Sequence, residues 1–146
     1  MGLFSSLSNL FSFGKKRVFI SYQHKYDRQY RNLLCAWDAN SSFDFEFERC
    51  SPNVAIDSDQ APQIKAALTR MMKKADCLLV IVGRHTHKSG WVRWEITRAK
   101  KSDVRLKLVV VKLNNSYVTP NGLLNSGAAF ARSFSRDAIL KALDEA

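Results

Sequence analysis

The chain has 146 residues and is 46% hydrophobic, enough for one domain with a real core and too apolar for a disordered chain. Lys and Arg outnumber Asp and Glu by 23 to 13, a formal charge of +10. Such an excess suits nucleic acid, an anionic membrane surface or a phosphorylated ligand. No recognition-helix or RNP-like aromatic pattern accompanies the basic residues, so nucleic acid is not expected, and no apolar run approaches the ~20 residues of a membrane-spanning helix.

Cys35, Cys50 and Cys77 are scattered and odd in number, which fits neither a disulfide framework nor a zinc site. A reducing cytoplasm is the expected compartment, and no secretory signal is expected.

Residues 1–16, MGLFSSLSNLFSFGKK, stand apart from the domain expected over 17–146. Leu3, Leu7, Leu10 and Phe11 recur at helical spacing and Gly14 is a stop. The plainer reading is an appendage that docks on the domain or on a second copy. The other is an interfacial helix whose apolar face meets a membrane, with Lys15 and Lys16 on the head groups. MGLFSS also fits a myristoylation pattern, which matters only in a eukaryotic host.

From Arg17 strand and helix signals alternate. RVFISY reads as a buried strand and DRQYRNLLCAW as a helix with Asp27 as its N-cap. FDFEFE, residues 43–48, alternates strictly and reads as a half-exposed strand near a sheet edge. After a loop over 49–61, QIKAALTRMMKKA places Ile64, Leu68, Met71 and Met72 on one helix face. CLLVIVG is the apolar strand of a sheet centre. RHTHKSG reads as a loop, WVRWEITRAKK as a helix and RLKLVVVKL as a strand; NNSYVTPNG opens a tail that ends in the helix SRDAILKALDEA.

This order predicts a three-layer α/β/α domain around a mostly parallel sheet. Ligands in such sheets bind beyond the carboxyl ends of the strands. SYQHK, the 49–61 loop and GRHTHKSGW should line that crevice. No GxGxxG, GxxxxGK[ST], HExxH or GxSxG is present. His85 and His87 lack further ligands at useful spacing, so no metal is expected and the pair reads as solvated loop histidines.

Within WVRWEI, Val92, Ile96 and Ala99 form the core-facing stripe, and Glu95 falls about 60° from its centre with Trp91 on the adjacent shoulder. Glu95 is thus expected at the edge of the core, partly desolvated. The ordinary alternative is a surface ion pair with Arg93 or Arg98.

RVFISY, LLVIVG and WVRWEI, in this order and spacing, resemble a TIR domain, in particular the TIR-like group that includes the Thoeris anti-phage TIR subunit. The resemblance covers roughly residues 16 to 115. It implies a flavodoxin-like TIR fold with Glu95 as the residue essential for cleaving NAD+, which is substrate rather than cofactor. Scaffolding TIR domains often lack this glutamate. Ser21, Tyr22 and His24 should border the nucleotide, although Phe19 and Ser21 also read as strand core and turn. Trp91 is open to stacking on the ligand or to packing. Arg84 and Lys88 either neutralise the diphosphate or belong to a solvated loop. No clear proline-bearing gating-loop signature is present beyond SPNVAIDSDQAP.

The product implied is an ADP-ribose-derived, cyclic or transferred, signalling nucleotide that diffuses to a separate effector, with self-association through TIR contacts. A non-catalytic interaction module is the competing reading. A phosphoacceptor of flavodoxin type is a third; FISYQH lacks the acidic pair that Mg2+ would want.

Overall fold

A computed structural model describes residues 15–37, 43–45 and 52–146. Residues 1–14 of the appendage expected over 1–16, and most of FDFEFE, lie outside the described residues. Five strands form one sheet: β1 (Lys16–Ser21), β2 (Phe43–Asp44), β3 (Cys77–Val82), β4 (Lys107–Lys112) and β5 (Ala129–Ala131). Four α-helices accompany them: α1 (His24–Ala36), α2 (Ala61–Lys73), α3 (Gly90–Ala99) and α4 (Arg136–Glu145).

The strand order is β2-β1-β3-β4-β5 and every pairing is parallel. β3 is central and all six of its residues are buried, as expected for a run of apolar β-formers with helices on both faces. Register sets Val18 beside Cys77 and Ser21 beside Val80, then Cys77 beside Lys107.

Period-two alternation divides the core. Val18, Ile20, Leu79, Ile81, Val109 and Val111 face α1 and α4, where they meet Leu34, Ile139 and Leu143. Phe19, Leu78, Val80, Val82 and Val110 face α2 and α3, where they meet Leu68, Met72, Val92 and Ile96. This is the three-layer arrangement expected from the alternating signals.

Local chemistry sets the helix starts. The Ser89 hydroxyl accepts from the Val92 backbone N–H at 3.2 Å and caps α3. Ser135 does the same for Ala138 and α4 at 3.3 Å. α2 starts two residues before the expected Gln63, because Pro62 fits a first turn that needs no N–H.

Two expectations are corrected. Asp27 is not an N-cap: α1 begins earlier, with Gln23 in the capping position and no side-chain cap, so Asp27 falls inside the first turn and is buried. The tail is not all turn and helix, since Ala129–Ala131 pairs with Val109–Val111 as β5. Three residues between Gly127 (φ 76) and a run of serines are too few to show alternation in the sequence.

Candidate active site

β1 and β3 end beside each other at the point where the strand order reverses, the place where α/β sheets bind ligands. Ser21 is the last residue of β1. Alternation puts it on the same face as Phe19, toward α3, and leaves it 1% exposed. Glu95 lies one and a half turns into α3, between Val92, Ile96 and Ala99, and is 3% exposed. The Ser21 Oγ donates to Glu95 Oε1 at 2.7 Å.

Glu95 is therefore more enclosed than its helical angle suggests. Phe19, Trp91 and Ile96 close around the same face, turning a shoulder position into an interior one. The surface-pair alternative fails. Arg98 instead grips Asp103 through both guanidinium nitrogens at 2.8 and 2.7 Å, and no ion pair reaches Glu95 among the described residues. Burial pushes the Glu95 carboxyl up to about 8, and the Ser21 hydrogen bond pulls in the opposite direction.

Trp91, in the first turn of α3, is 8% exposed and stands edge-on to Trp94 with ring centres 6.0 Å apart. Its indole N–H donates to the Val54 carbonyl at 2.6 Å, so the ring packs and its polar edge holds the 52–60 loop. Ile56 of that loop lies against Gly90, where a Cβ would come within 2.9 Å of its Cγ2. The loop thus rests on the first turn of the helix that carries Glu95.

The remaining expected residues lie elsewhere. Tyr22 points to the opposite face of the sheet, in the core shared with α1, and the His24 ring stands 6.3 Å from it. Arg84 is exposed, with its guanidinium 5.4 Å from the centre of the Tyr117 ring. Lys88 is exposed as well. The structure brings Phe19, Ser21, Trp91 and Glu95 together, puts Tyr22 in the opposite core, and sets His24 against Tyr22 and Arg84 against Tyr117.

RHTHKSG is not simply a solvated loop. Thr86 is 1% exposed; its hydroxyl accepts from the Gly83 N–H at 2.8 Å and donates to Asp27 Oδ2 at 3.4 Å. Burial raises the Asp27 carboxyl, with Thr86 and the nearby His85 acting against it. His85 is half-buried against Tyr26, ring centres 4.2 Å apart. The one signal available in the sequence was an acidic residue after the first strand, and a cap explained it equally well.

Among the described residues no cluster of His, Cys, Asp or Glu could hold a metal ion, and no helix is long and apolar enough to cross a membrane.

A family model described as Thoeris protein ThsB, TIR-like domain, matches residues 19–117, about two thirds of the chain. The chain belongs to this family. The match runs from within β1 to beyond β4 and so includes Ser21, Trp91 and Glu95. No curated protein matches. The TIR domains in a solved structure described as the activated Roq1 resistosome directly recognizing the pathogen effector XopQ are 13% identical, with a TM-score of 0.39. That match covers 68% of this chain, which spans 60% of the other.

Proposed function

We propose that this TIR-like protein cleaves the nicotinamide–ribose bond of NAD+ and forms an ADP-ribose-derived, cyclic signalling nucleotide in anti-phage defence. The observation that carries the reading is Glu95, a carboxylate buried at the strand-order switch and hydrogen-bonded to Ser21 at 2.7 Å. Family membership supports the defence role, and some TIR domains are NAD+-cleaving enzymes.

The reaction suits one carboxylate. Most glycosidases need a second, acidic group to protonate the departing oxygen. Nicotinamide leaves NAD+ as a neutral molecule, taking the C–N bonding electrons onto its cationic ring nitrogen. The ribose is left oxocarbenium-like, and the charged form of Glu95 stabilises it and orients its hydroxyls. Water then gives ADP-ribose and a proton; a nucleophile of the adenosine portion gives a cyclic product and a proton. Arrival of the cationic nicotinamide ring favours the charged carboxylate, opposing the burial that keeps Glu95 protonated in the free protein. Since Glu95 is closed off, substrate entry requires the 52–60 loop to move from α3.

In this reading the site is completed by self-association, NAD+ is the substrate, no cofactor takes part, and the nucleotide product reaches a separate effector by diffusion. Arg84, which stands against Tyr117, and His24, which stands against Tyr22, contact the distal parts of NAD+ only if that assembly brings them there.

The test is nicotinamide release from NAD+ by the purified protein, with and without phage-derived trigger, for wild type and Glu95→Gln. Release by wild type alone supports the enzyme; equal release by both overturns Glu95's role. Absence of release under every condition favours a non-catalytic interaction module, in which Glu95 is simply a buried neutral acid. Mass spectrometry of the product separates hydrolysis from cyclisation.

A further inference from the structure

A hollow lies at the carboxyl ends of β3 and β4, between α3 and the segment that follows β4. One wall comes from the short turn Thr86–Lys88 and the start of α3, the other from residues 118–122. Its volume is about 320 Å3, at the lower end of the roughly 300–1,000 Å3 typical of small-molecule pockets. Trp91 and Arg93 are two residues apart on α3 and so point about 200° apart around the helix. Trp91 bonds to Val54, whereas Arg93 lines this hollow, which is therefore separate from the enclosure of Glu95.

Four polar side chains meet at the hollow: His87, Arg93, Thr119 and Asn121. None has a hydrogen-bond or ion-pair partner among the described residues. Arg93 is exposed, and a guanidinium carries five donors in a planar fork. The His87 Nδ1 is shut off from water without a partner among the described residues. That costs about 1–3 kcal/mol, which a purely structural side chain in this place would avoid.

Both walls are fixed by their own bonds. Thr86 is tied to Gly83 and Asp27, and Ser89 caps α3. In the other wall, Asn114 Oδ1 accepts from the Ser116 N–H at 2.9 Å and from its hydroxyl at 2.7 Å. The Pro120 carbonyl accepts from the Leu123 N–H at 3.0 Å, and Lys100 donates to the Gly122 carbonyl at 3.0 Å. Gly122 lets this wall lie against α3, since a Cβ there would come within 2.8 Å of Ile96 Cγ2.

The charge around the hollow has one sign. No acidic side chain lines it among the described residues. The sequence holds no acid between Asp103 and Asp137, and between Asp76 and Asp103 it holds only the buried Glu95. The hollow beside Arg84 differs in this respect, because Asp27 lines it. Val118 and Pro120 add an apolar lining to the four polar groups.

We propose that this hollow binds a small phosphorylated molecule, with its phosphate on Arg93 and His87 and its hydroxyl groups on Thr119 and Asn121. A guanidinium fork matches two phosphate oxygens at once, and the polar side chains opposite orient the remainder. The volume suits a molecule the size of a sugar phosphate. The inference concerns binding without turnover and is independent of the NAD+ reading.

Calorimetric titration and amide NMR of the full chain, with ribose 5-phosphate, ribose and inorganic phosphate as probes, test it. Ribose 5-phosphate should bind saturably, inorganic phosphate more weakly and ribose not at all. Amide shifts should concentrate at residues 86–93 and 118–122. Arg93→Ala should weaken ribose 5-phosphate at least about tenfold, while Lys101→Ala, beyond the other end of α3, should bind like wild type. No saturable binding, shifts centred elsewhere, or wild-type affinity in Arg93→Ala overturns the proposal. Ribose that binds as tightly as its phosphate overturns it too. Inorganic phosphate that binds as tightly as the sugar phosphate leaves only an anion site and overturns the role given to Thr119 and Asn121. The comparison of probes uses the wild-type protein and stands even if Arg93→Ala misfolds.

Discussion

Glu95 and Asp27 are both carboxylates taken out of water near the carboxyl ends of β1 and β3, one on α3 and the other in the first turn of α1. Each meets a hydroxyl, Ser21 or Thr86, and each is raised by burial. The difference lies in what the hydroxyl does next. Thr86 also accepts from the Gly83 N–H and reaches the Ile81 carbonyl at 3.3 Å, so Asp27 belongs to a brace that ties α1 to the end of β3. Ser21 does not tie Glu95 into any such network among the described residues; its hydroxyl serves the carboxylate and leaves one oxygen uncommitted. A buried acid alone is a poor mark of a site. A buried acid with spare bonding capacity, at the rim where ligands bind, is a better one.

The sharpest way to break this contrast is to neutralise each acid in turn. Glu95→Gln should lower nicotinamide release by at least about 100-fold while the protein stays folded. Asp27→Asn should leave it within about threefold, since the amide keeps a hydrogen-bonding group near Thr86. Comparable losses in both variants would erase the distinction.

Glu95→Gln should also raise Tm. Between the ordinary carboxylate range and about 8, the folded protein holds a proton on Glu95 that the unfolded chain has released. Folding therefore takes up a proton, and stability falls as pH rises through that window. The Tm advantage of Glu95→Gln should accordingly widen from pH 5 to pH 8.5, as thermal melts across that range would show.

Next in size is the brace itself. A Cβ on Gly83 would fall onto the Asp27 carboxylate, so Gly83→Ala should cost about 1–3 kcal/mol in denaturant unfolding. A loss below ~0.5 kcal/mol would mean that Asp27 moves aside freely and braces nothing. Ser21→Ala removes the hydrogen bond that favours the charged carboxylate. The rising limb of kcat/KM against pH should then move further above 8, with activity near pH 7.5 down several-fold and partly recovered in more alkaline buffer. An unshifted profile would show that Ser21 only packs. The smallest effect is expected from Trp91→Phe, which keeps the ring and removes the donor to Val54. It should cost about 1 kcal/mol and hasten limited proteolysis within 52–60.

Much of the fold was legible because its signals are long. CLLVIVG and RLKLVVVKL are apolar over more residues than a turn can hold, and the α2 and α3 stripes repeat at helical period. β5 was illegible because three residues carry no period. The α3 face was read correctly as Val92, Ile96 and Ala99, yet Glu95 came out too exposed. A helical wheel knows its own axis and not the depth of the strand beneath. Asp27 failed for a related reason, since an acid before a helical stripe looks the same as a cap or as a first-turn brace. The pairing of Ser21 with Glu95 is a matter of tertiary register, and the family resemblance pointed to both residues without giving the bond between them.

That bond joins residues 74 apart in the chain. β1 must pair with β3, and α3 must then settle on the resulting surface, before Glu95 has either its hydroxyl partner or its dry surroundings. Contacts of such separation form late, because the intervening loop must be closed first. A chain still emerging from the ribosome, complete only through β3, therefore has no enclosed carboxylate. If the site consumes NAD+, it becomes competent only after α3 has settled on β1 and β3, and a chain that stops at β3 is inactive.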